Sequence, residues 1–328
     1  MKDLRWGIVG AGNIAQSFAE DLKHSKNSTL YAIASKSGLK LESFKKYNYK
    51  VSYNDYEQLF SDPNVDIVYI ATPHSHHYDN TISALKHKKH VLCEKPFAVN
   101  KKQSEEMFAL AKQNKCFIME AMWTRFFPAM QEIIELIKQG AIGTISQIYA
   151  DFCFKSDFGP TTRLHSIEFA GGSLLDVGIY PVTLAYLLSG IPNETIAMAE
   201  LAENHIDNKV GIVFKHNNKS ISNIFCSITN DSVYEALIYG TEGSIKIHEN
   251  WWQPKSFTLT TYKNNRTKKI NKPCNGAGYQ FEIDHCAECI SKGLIESPVY
   301  SHTDTLNVMG ILDNIRKIIG VKYPLLYE

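Results

Sequence analysis

An α/β Rossmann domain built on a parallel sheet, followed by an α+β domain with an open, mainly antiparallel sheet, is what three features of this sequence predict. A glycine-rich turn, Gly10-Ala11-Gly12-Asn13-Ile14-Ala15, stands between an apolar run and a helical one. Up to about residue 122, short apolar runs alternate with longer amphipathic ones, the rhythm of repeated β-α units. Beyond it, one helical stretch precedes a series of strand candidates separated by turn formers. At 328 residues the chain exceeds the usual size of one domain, so two are expected, 1–122 and 123–328.

In order, the first domain reads LRWGIVG (strand), NIAQSFAEDLKHS (helix), TLYAIAS (strand), LKLESFKKY (helix), VDIVYIAT (strand), HYDNTISALKHKK (helix), HVLCEK (strand), KKQSEEMFALAKQN (helix) and CFIMEA (strand). The strand runs are continuously apolar rather than alternating, as strands buried on both faces must be. The second domain opens with the helix FPAMQEIIELIKQG. Strands follow at TISQIYADFCF, IAMAELA, KVGIVFK, SISNIFCSI, VYEALIYG and SFTLTTY, with turns at HNNK, TEG and NNR. Two helices, YQFEIDHCAECISKG and HTDTLNVMGILDNIRKIIG, close the chain, and the last can pack back against the first domain.

Thirty-five Lys and Arg against 34 Asp and Glu give a formal charge of +1, scattered rather than massed. That argues against a nucleic-acid partner or an anionic membrane face and for a small soluble ligand. The N-terminus enters a strand-like run with no room for a signal peptide, and no later segment is read as bilayer-spanning; a cytoplasmic location is expected. Of the seven cysteines, Cys93, Cys116, Cys153 and Cys226 sit in apolar runs and are read as reduced thiols. Cys286 and Cys289 form an isolated C-x-x-C with no second pair at ligand spacing, so packing is favoured over zinc or redox chemistry.

The glycine turn is where chemistry first shows. Gly10 permits the tight turn, Gly12 lets a pyrophosphate approach the backbone, and Ala15 allows close helix–strand packing, while Asn13 and Ile14 open the helix whose N–H groups face the anion. An NAD site usually ends the second strand on a carboxylate. Here the strand ends AIASKSG, and Ser35, Lys36, Ser37 and Lys40 offer hydroxyls and cations instead. NADP(H) is therefore the preferred cofactor, with NAD(H) possible.

In an open parallel sheet, ligands lie beyond the carboxyl ends of the strands. Glu94-Lys95-Pro96 ends one such strand: the Lys95 ammonium can enter the crevice and act on a hydroxyl, and Pro96 fixes the backbone on its way out. A plain surface lysine is the bland alternative. Thr72-Pro73-His74-Ser75-His76-His77 ends another strand. Three histidines suggest a metal, but with no carboxylate or cysteine nearby in sequence no metal site is expected. Trp123-Thr124-Arg125-Phe126 puts an arginine among aromatics, to hold a ligand or simply to pack.

GAGNIA, EKP and GGSLLDVGIYPV together resemble the glucose-fructose oxidoreductase, inositol dehydrogenase and rhizopine-catabolism (Gfo/Idh/MocA) family. LCEKPFAVN, MEAMWTRFFPA, FCSIT and NGAGYQFEIDHCAECISKG resemble its dimeric dihydrodiol dehydrogenase and NADP-dependent D-xylose dehydrogenase branch. The resemblance implies hydride transfer at a cleft, a substrate-binding second domain whose open sheet forms a homodimer interface, and Lys95 as a catalytic residue. The family's usual Asp followed four residues later by His is here Asp176 and Tyr180, matching the branch in which a tyrosine is the acid or base. With a reference pKa of about 10, Tyr180 would need the Lys95 charge to favour its phenolate. His74 and His77, then Trp123 and Arg125, are implied to line the cofactor and substrate site beside Thr72, Pro73 and Glu94; Phe158, His165 and Trp252 are candidates for the pocket wall. The implied activity is NADP-dependent oxidation of a CH–OH carbon in a sugar or cyclic trans-diol. A carbonyl or imine reductase, or a non-catalytic NADP(H)-binding sensor, are the alternatives.

Overall fold

The computed structural model describes residues 3–38, 41–156, 159 and 162–324. It divides into two compact units, Met1–Trp123 with Asn275–Leu306, and Thr124–Cys274 with Asn307–Glu328.

In the first unit, β1 (Leu4–Val9), α1 (Asn13–Leu22), β2 (Ser28–Ala34), β3 (Val51–Tyr53), α2 (Tyr56–Ser61), β4 (Ile67–Ile70), α3 (His77–Lys86), β5 (His90–Glu94), α4 (Lys101–Asn114) and β6 (Ile118–Ala121) follow one another. Their strands form a six-stranded parallel sheet in the order β3-β2-β1-β4-β5-β6. The order reverses between β1 and β4, which creates the crevice where such sheets bind ligands. Every residue of β4 is buried, and so are four of the five in β5, which is why their sequences run apolar without alternation. Ile70, Val91 and Leu92 are fully withdrawn from water, each worth about 1.5–3 kcal/mol of transfer free energy. Helix α4 begins at Asn100, whose side chain accepts from the Gln103 N–H, and ends where Lys115 turns left-handed at φ 55°.

Three local differences from the sequence expectations appear here. The described part of LKLESFKKY forms only a 3-10 turn, Leu41–Phe44, with Phe44 and Tyr47 buried and their rings 5.5 Å apart; two buried rings are too few to anchor an amphipathic helix. Lys40 lies outside the described residues. Strand β3 and helix α2 went unexpected, being three and six residues long, too short for a periodicity to register. Residues 275–306 belong with the first unit, where a division at 122 had left them in the second. The physical cause is Asp21 of α1: its buried carboxylate accepts the backbone N–H groups of Ala277, Gly278 and Tyr279 at 3.1, 2.6 and 2.9 Å, just ahead of α7 (Gln280–Ser291). The first turns of α8 (His302–Ile319) also count here, His302 stacking on Phe108 at 4.0 Å.

The second unit holds α5 (Pro128–Lys138), β7 (Ile145–Cys153), a π-helical turn (Leu174–Gly178) leading into α6 (Ile179–Ser189), and strands β8 (Pro192–Leu201), β9 (Asp207–His216), β10 (Ile221–Ser227), β11 (Ala236–Gly240), β12 (Gly243–Ile247), β13 (Ser256–Thr261) and β14 (Arg266–Asn271). They pair as β14-β13-β12-β11-β7-β10-β9-β8, antiparallel except for β7 and β10. Ile148, Ile212, Phe214, Ile224 and Cys226 alternate onto the face that is buried. On the other face the register puts Ile196, Val213 and Tyr149 along one row and Met198 and Phe225 along the next. Ile196 is 67% and Met198 79% exposed.

Strands β12 and β14 were not foreseen. The latter reads RTKKIN, almost wholly exposed, a charged edge strand with no apolar alternation to betray it. The run Ile167–Ser189 is long and apolar enough by length and composition to cross a membrane, contrary to expectation, yet 83% of its most apolar window is buried inside the protein. It supplies the core that packs under the sheet.

Candidate active site

The glycine turn leaves β1 with Gly10 at φ +97°, a conformation that favours glycine. A Cβ there would also fall 2.8 Å from the Ala71 carbonyl oxygen, so the turn and the exit from β4 touch backbone to backbone. Gly12 caps α1, and a Cβ built on it meets nothing within 4 Å. No side chain caps the helix, and Asn13 and Ile14 are exposed while Ala15 is buried. The first-turn N–H groups thus face open space, the arrangement that receives a phosphate.

At the end of β2, Ser35 is buried with its Oγ 3.5 Å from that of Ser37, and the Lys36 ammonium lies 4.9 Å over the Tyr56 ring. Burial, reinforced by the Lys36 charge, holds His76 below the usual histidine range. This is a cationic, hydroxyl-rich strand end.

The exits from β4 and β5 are bound to each other. His77 is fully buried, its Nδ1 2.8 Å from the Pro96 carbonyl oxygen and its Nε2 2.9 Å from that of Thr72. Asn80 donates to the Thr72 hydroxyl at 3.2 Å, and Pro73 precedes the 3-10 turn that carries His74, itself buried with its ring 5.8 Å from that of His77. Glu94 accepts from the Tyr69 hydroxyl through Oε1 and from the Lys95 N–H at 3.1 Å through Oε2. The Phe18 ring stacks on Tyr69 at 3.8 Å, fixing that donor. Lys95 is half-buried, and its peptide bond to Pro96 is cis.

Two further carboxyls lie beneath, and sequence reasoning missed both. Glu120 of β6 accepts from the Phe97 N–H at 3.0 Å and from the Thr305 hydroxyl at 2.9 Å, so it holds the residue that follows Pro96. Its burial pushes it up to about 7 despite those bonds. Glu282 on α7 is fully buried, neither carboxyl oxygen finding a hydrogen-bond partner among the described residues, and burial, then the Glu94 charge, raise it well above the ordinary range. The available signal was a carboxylate inside an apolar run, CFIMEA and YQFEI. Trp123 closes this unit's set by stacking on Tyr279 at 4.5 Å.

In the second unit the π turn and α6 carry Asp176 and Tyr180, both buried. Arg163 Nη1 donates to Asp176 Oδ1 at 3.0 Å. The Phe152 ring lies 5.3 Å from Tyr180 and stacks on Trp252 at 3.7 Å, while Thr124 donates to the Trp252 carbonyl. Arg163 and Phe152 are additions to the sequence-derived set. Asp207 is another: fully buried on β9, it accepts from Ser173 Oγ at 2.7 Å and the Leu174 N–H at 2.6 Å, anchoring the start of the π turn. A Cβ on Gly172 would fall 2.3 Å from Asp207 Oδ1, so the second glycine of GGSLLDVG makes room for that anchor. Arg125 follows in the 3-10 turn Trp123–Phe126. His165 bonds Ser156 at 2.9 Å, and Phe158 lies outside the described residues. Among the described residues no group of three His, Cys, Asp or Glu is placed to hold a metal. Cys286 and Cys289 are buried free thiols, the latter 3.3 Å from His285 Nε2 and raised to about 11 by burial.

Residues 4–122 match the model of an oxidoreductase family with an NAD-binding Rossmann fold, and residues 130–246 the Gfo/Idh/MocA C-terminal domain. The chain is 36% identical to the trans-1,2-dihydrobenzene-1,2-diol dehydrogenase of Mus musculus and 33% identical to that of Homo sapiens, with 98% of each chain covered in both cases. Its fold superposes with a TM-score of 0.87 on the aldose-aldose oxidoreductase of Caulobacter crescentus in complex with glycerol, at 24% identity over 97% of both chains. A 3-ketoreductase of Actinomadura kijaniata, in complex with NADP and TDP-benzene, gives 0.87 at 21% identity over 97% of this chain and 98% of its own. With both domain models matched in order and its relatives alike from end to end, the chain belongs to the Gfo/Idh/MocA family of oxidoreductases.

Proposed function

We propose that the protein is an NADP(H)-dependent dehydrogenase acting on the CH–OH carbon of a cyclic trans-diol or a sugar, with NAD(H) as a weaker alternative. The observation that carries this is the match, over 98% of the chain, to trans-1,2-dihydrobenzene-1,2-diol dehydrogenases. The site residues fit the cofactor: the bare N-terminus of α1 and the open face of Gly12 suit a pyrophosphate, and Ser35 with Lys36 suits a 2′-phosphate.

The nicotinamide, when bound, takes or gives the hydride. Thr72, Pro73, His74, His77 and Glu94 form the cofactor rim, with Trp123 and Arg125 orienting the reactants. In oxidation the substrate hydroxyl proton passes to the Tyr180 phenolate, which the Lys95 ammonium stabilises, and in reduction Tyr180 returns it. Arg163 donates to Asp176 on the helix turn before Tyr180 and fixes its carboxyl there. The stacked Phe152 and Trp252 rings offer an apolar wall to the face of a ring substrate.

The outward face of the second unit's sheet, with Ile196, Met198, Val213, Phe225 and Tyr149, supports a homodimer formed by a second copy of that face. Seven free thiols fit a reducing, cytoplasmic compartment. The test is reduction of NADP⁺, with NAD⁺ in parallel, by a cyclic trans-diol, D-xylose, D-glucose and inositol. Activity that prefers NADP⁺ and falls about 10²-fold or more in Tyr180→Phe is expected. Silence across the panel, with carbonyl compounds reduced by NADPH, would move the assignment to a carbonyl reductase. Cofactor binding without turnover in either direction would make the protein a sensor.

A further inference from the structure

The motif GGSLLDVGIYPV folds into an irregular piece of helix. Residues Leu174–Gly178 form a π turn, which closes its hydrogen bonds over five positions instead of the four of an α-helix. In an α-helix each residue adds about 100° of rotation, so relaxing the π turn by one position would swing everything after it by about that angle. Tyr180 is the second residue after the turn. The direction of its side chain therefore depends on the turn keeping its extra residue.

Two strands hold that turn in place. From β9, the fully buried Asp207 accepts both the Ser173 hydroxyl at 2.7 Å and the Leu174 N–H at 2.6 Å through Oδ2. Gly172, at φ +113°, leaves room for the other oxygen, since a Cβ there would fall 2.3 Å from Asp207 Oδ1. From β10, Cys226 brings its Sγ to 3.5 Å from Ser173 Oγ, and a Cβ on Gly178 would fall 2.8 Å from that sulfur. The turn is thus seated at both ends, its first residue on Asp207 and its last against Cys226. Burial raises the Asp207 carboxyl to about 6 against the hydrogen bonds it accepts, so at pH 8 it is a carboxylate and both bonds are charge-assisted. Burial, then the Asp207 charge, push the Cys226 thiol up, so the titratable group that β10 sets beside Asp207 is neutral there.

We infer that Asp207 is a positioning residue: by seating the π turn on β9, it sets the direction in which the Tyr180 side chain leaves α6. The inference rests on Tyr180 exchanging the substrate proton, as in the proposed reaction, and adds to it a buried residue that acts only through the turn. Without the carboxylate, the Ser173 hydroxyl and the Leu174 N–H lose the oxygen that receives them in the core, and the π turn loses what holds its start.

The experiment compares Asp207→Ala, which removes both bonds, with Asp207→Asn, whose side-chain oxygen can still accept them. Rates are taken at pH 8 per NADPH-binding site, so that any unfolded fraction drops out. Asp207→Ala should lower kcat about tenfold or more while the Kd for NADPH stays within about threefold, and Asp207→Asn should return kcat to within about threefold of the wild type. A wild-type kcat in Asp207→Ala overturns the inference, as does an Asp207→Asn enzyme that loses as much, or a Kd that rises in step with the loss. If Asp207→Ala does not fold, Ser173→Ala, which drops one of the two bonds, takes its place, and a wild-type kcat there is equally fatal. The seat itself is read in the unsubstituted full chain. Serine ¹³C′ with leucine ¹⁵N labelling isolates the Leu174 amide, because Ser173-Leu174 is the one Ser-Leu pair in the sequence. That amide should titrate with a midpoint at about 6, and an amide signal that stays still between pH 5 and 8 overturns the inference. Should Tyr180→Phe turn over like the wild type, the proposed reaction falls, yet the Leu174 amide still decides whether Asp207 seats the turn.

Discussion

Replacing Glu120 by glutamine should make the protein more stable in alkaline solution and leave it nearly unchanged in acid. Glu120 is fully buried and its carboxyl is raised from 4.5 to about 7. The folded state therefore binds this proton more tightly than the unfolded chain does. The resulting stability is fully present below pH 4.5 and is lost as pH rises through 7. At about 1.36 kcal/mol per unit, the loss amounts to about 3 kcal/mol. Glutamine has almost the same shape and does not titrate: its oxygen can accept from the Phe97 N–H, and its amide can donate to the Thr305 hydroxyl, which turns to accept. Urea unfolding of both proteins at several values between pH 4 and 9 measures the difference. The advantage of Glu120→Gln should grow with pH by about 3 kcal/mol across that range. A difference that stays flat within about 0.5 kcal/mol would refute the reasoning, because it would mean that Glu120 does not change charge there.

Asp207 obeys the same sign in the second unit, being raised from 3.8 to about 6, so Asp207→Asn should gain relative stability between pH 4 and 7 in the same denaturation series. Lys36→Glu should raise the KM for NADP⁺ about tenfold or more and leave that for NAD⁺ little changed, read from initial rates. Gly10→Ala puts a methyl group 2.8 Å from the Ala71 carbonyl at a left-handed φ, and should abolish NADP(H) binding by fluorescence titration. Met198→Lys on the outward sheet face should convert the proposed dimer into a monomer by sedimentation equilibrium without loss of helix content.

Much of the first unit was readable because its central strands are buried on both faces, so VDIVYI and HVLC announce themselves as continuous apolar runs. The glycine turn adds a backbone requirement that few other sequences meet. Strand β14 escaped because RTKKIN is a solvent-facing edge, held by its ladder with β13 and not by any buried side chain. The return of residues 275–306 escaped for a different reason: Asp21 recognises three backbone N–H groups, and backbone groups leave no mark in a sequence. Within the site, Lys95, Asp176 and Tyr180 could be named as candidates from their motifs. Glu120, Glu282 and Asp207 could not, since the signal of a buried carboxyl is the environment that surrounds it. His77 was visible as a residue, but the two carbonyls that its ring meets come from a neighbouring turn 19 residues away and a strand end five residues back.

The split of the first unit around the second bears on how the chain matures during synthesis. When residue 123 emerges from the ribosome, Asp21 has not met the backbone N–H groups of 277–279, Glu120 has not met Thr305, and Trp123 has not met Tyr279. Those partners arrive about 150 residues later, roughly 8–30 s at ordinary elongation rates. Throughout that interval the nascent nucleotide-binding half waits with a buried-site carboxylate unsatisfied and an aromatic face bare, while the intervening sheet can already fold. Completion of the N-terminal half is thus among the last events of biogenesis, and truncating the gene after residue 122 would deliver a polypeptide lacking the pieces that close its own core.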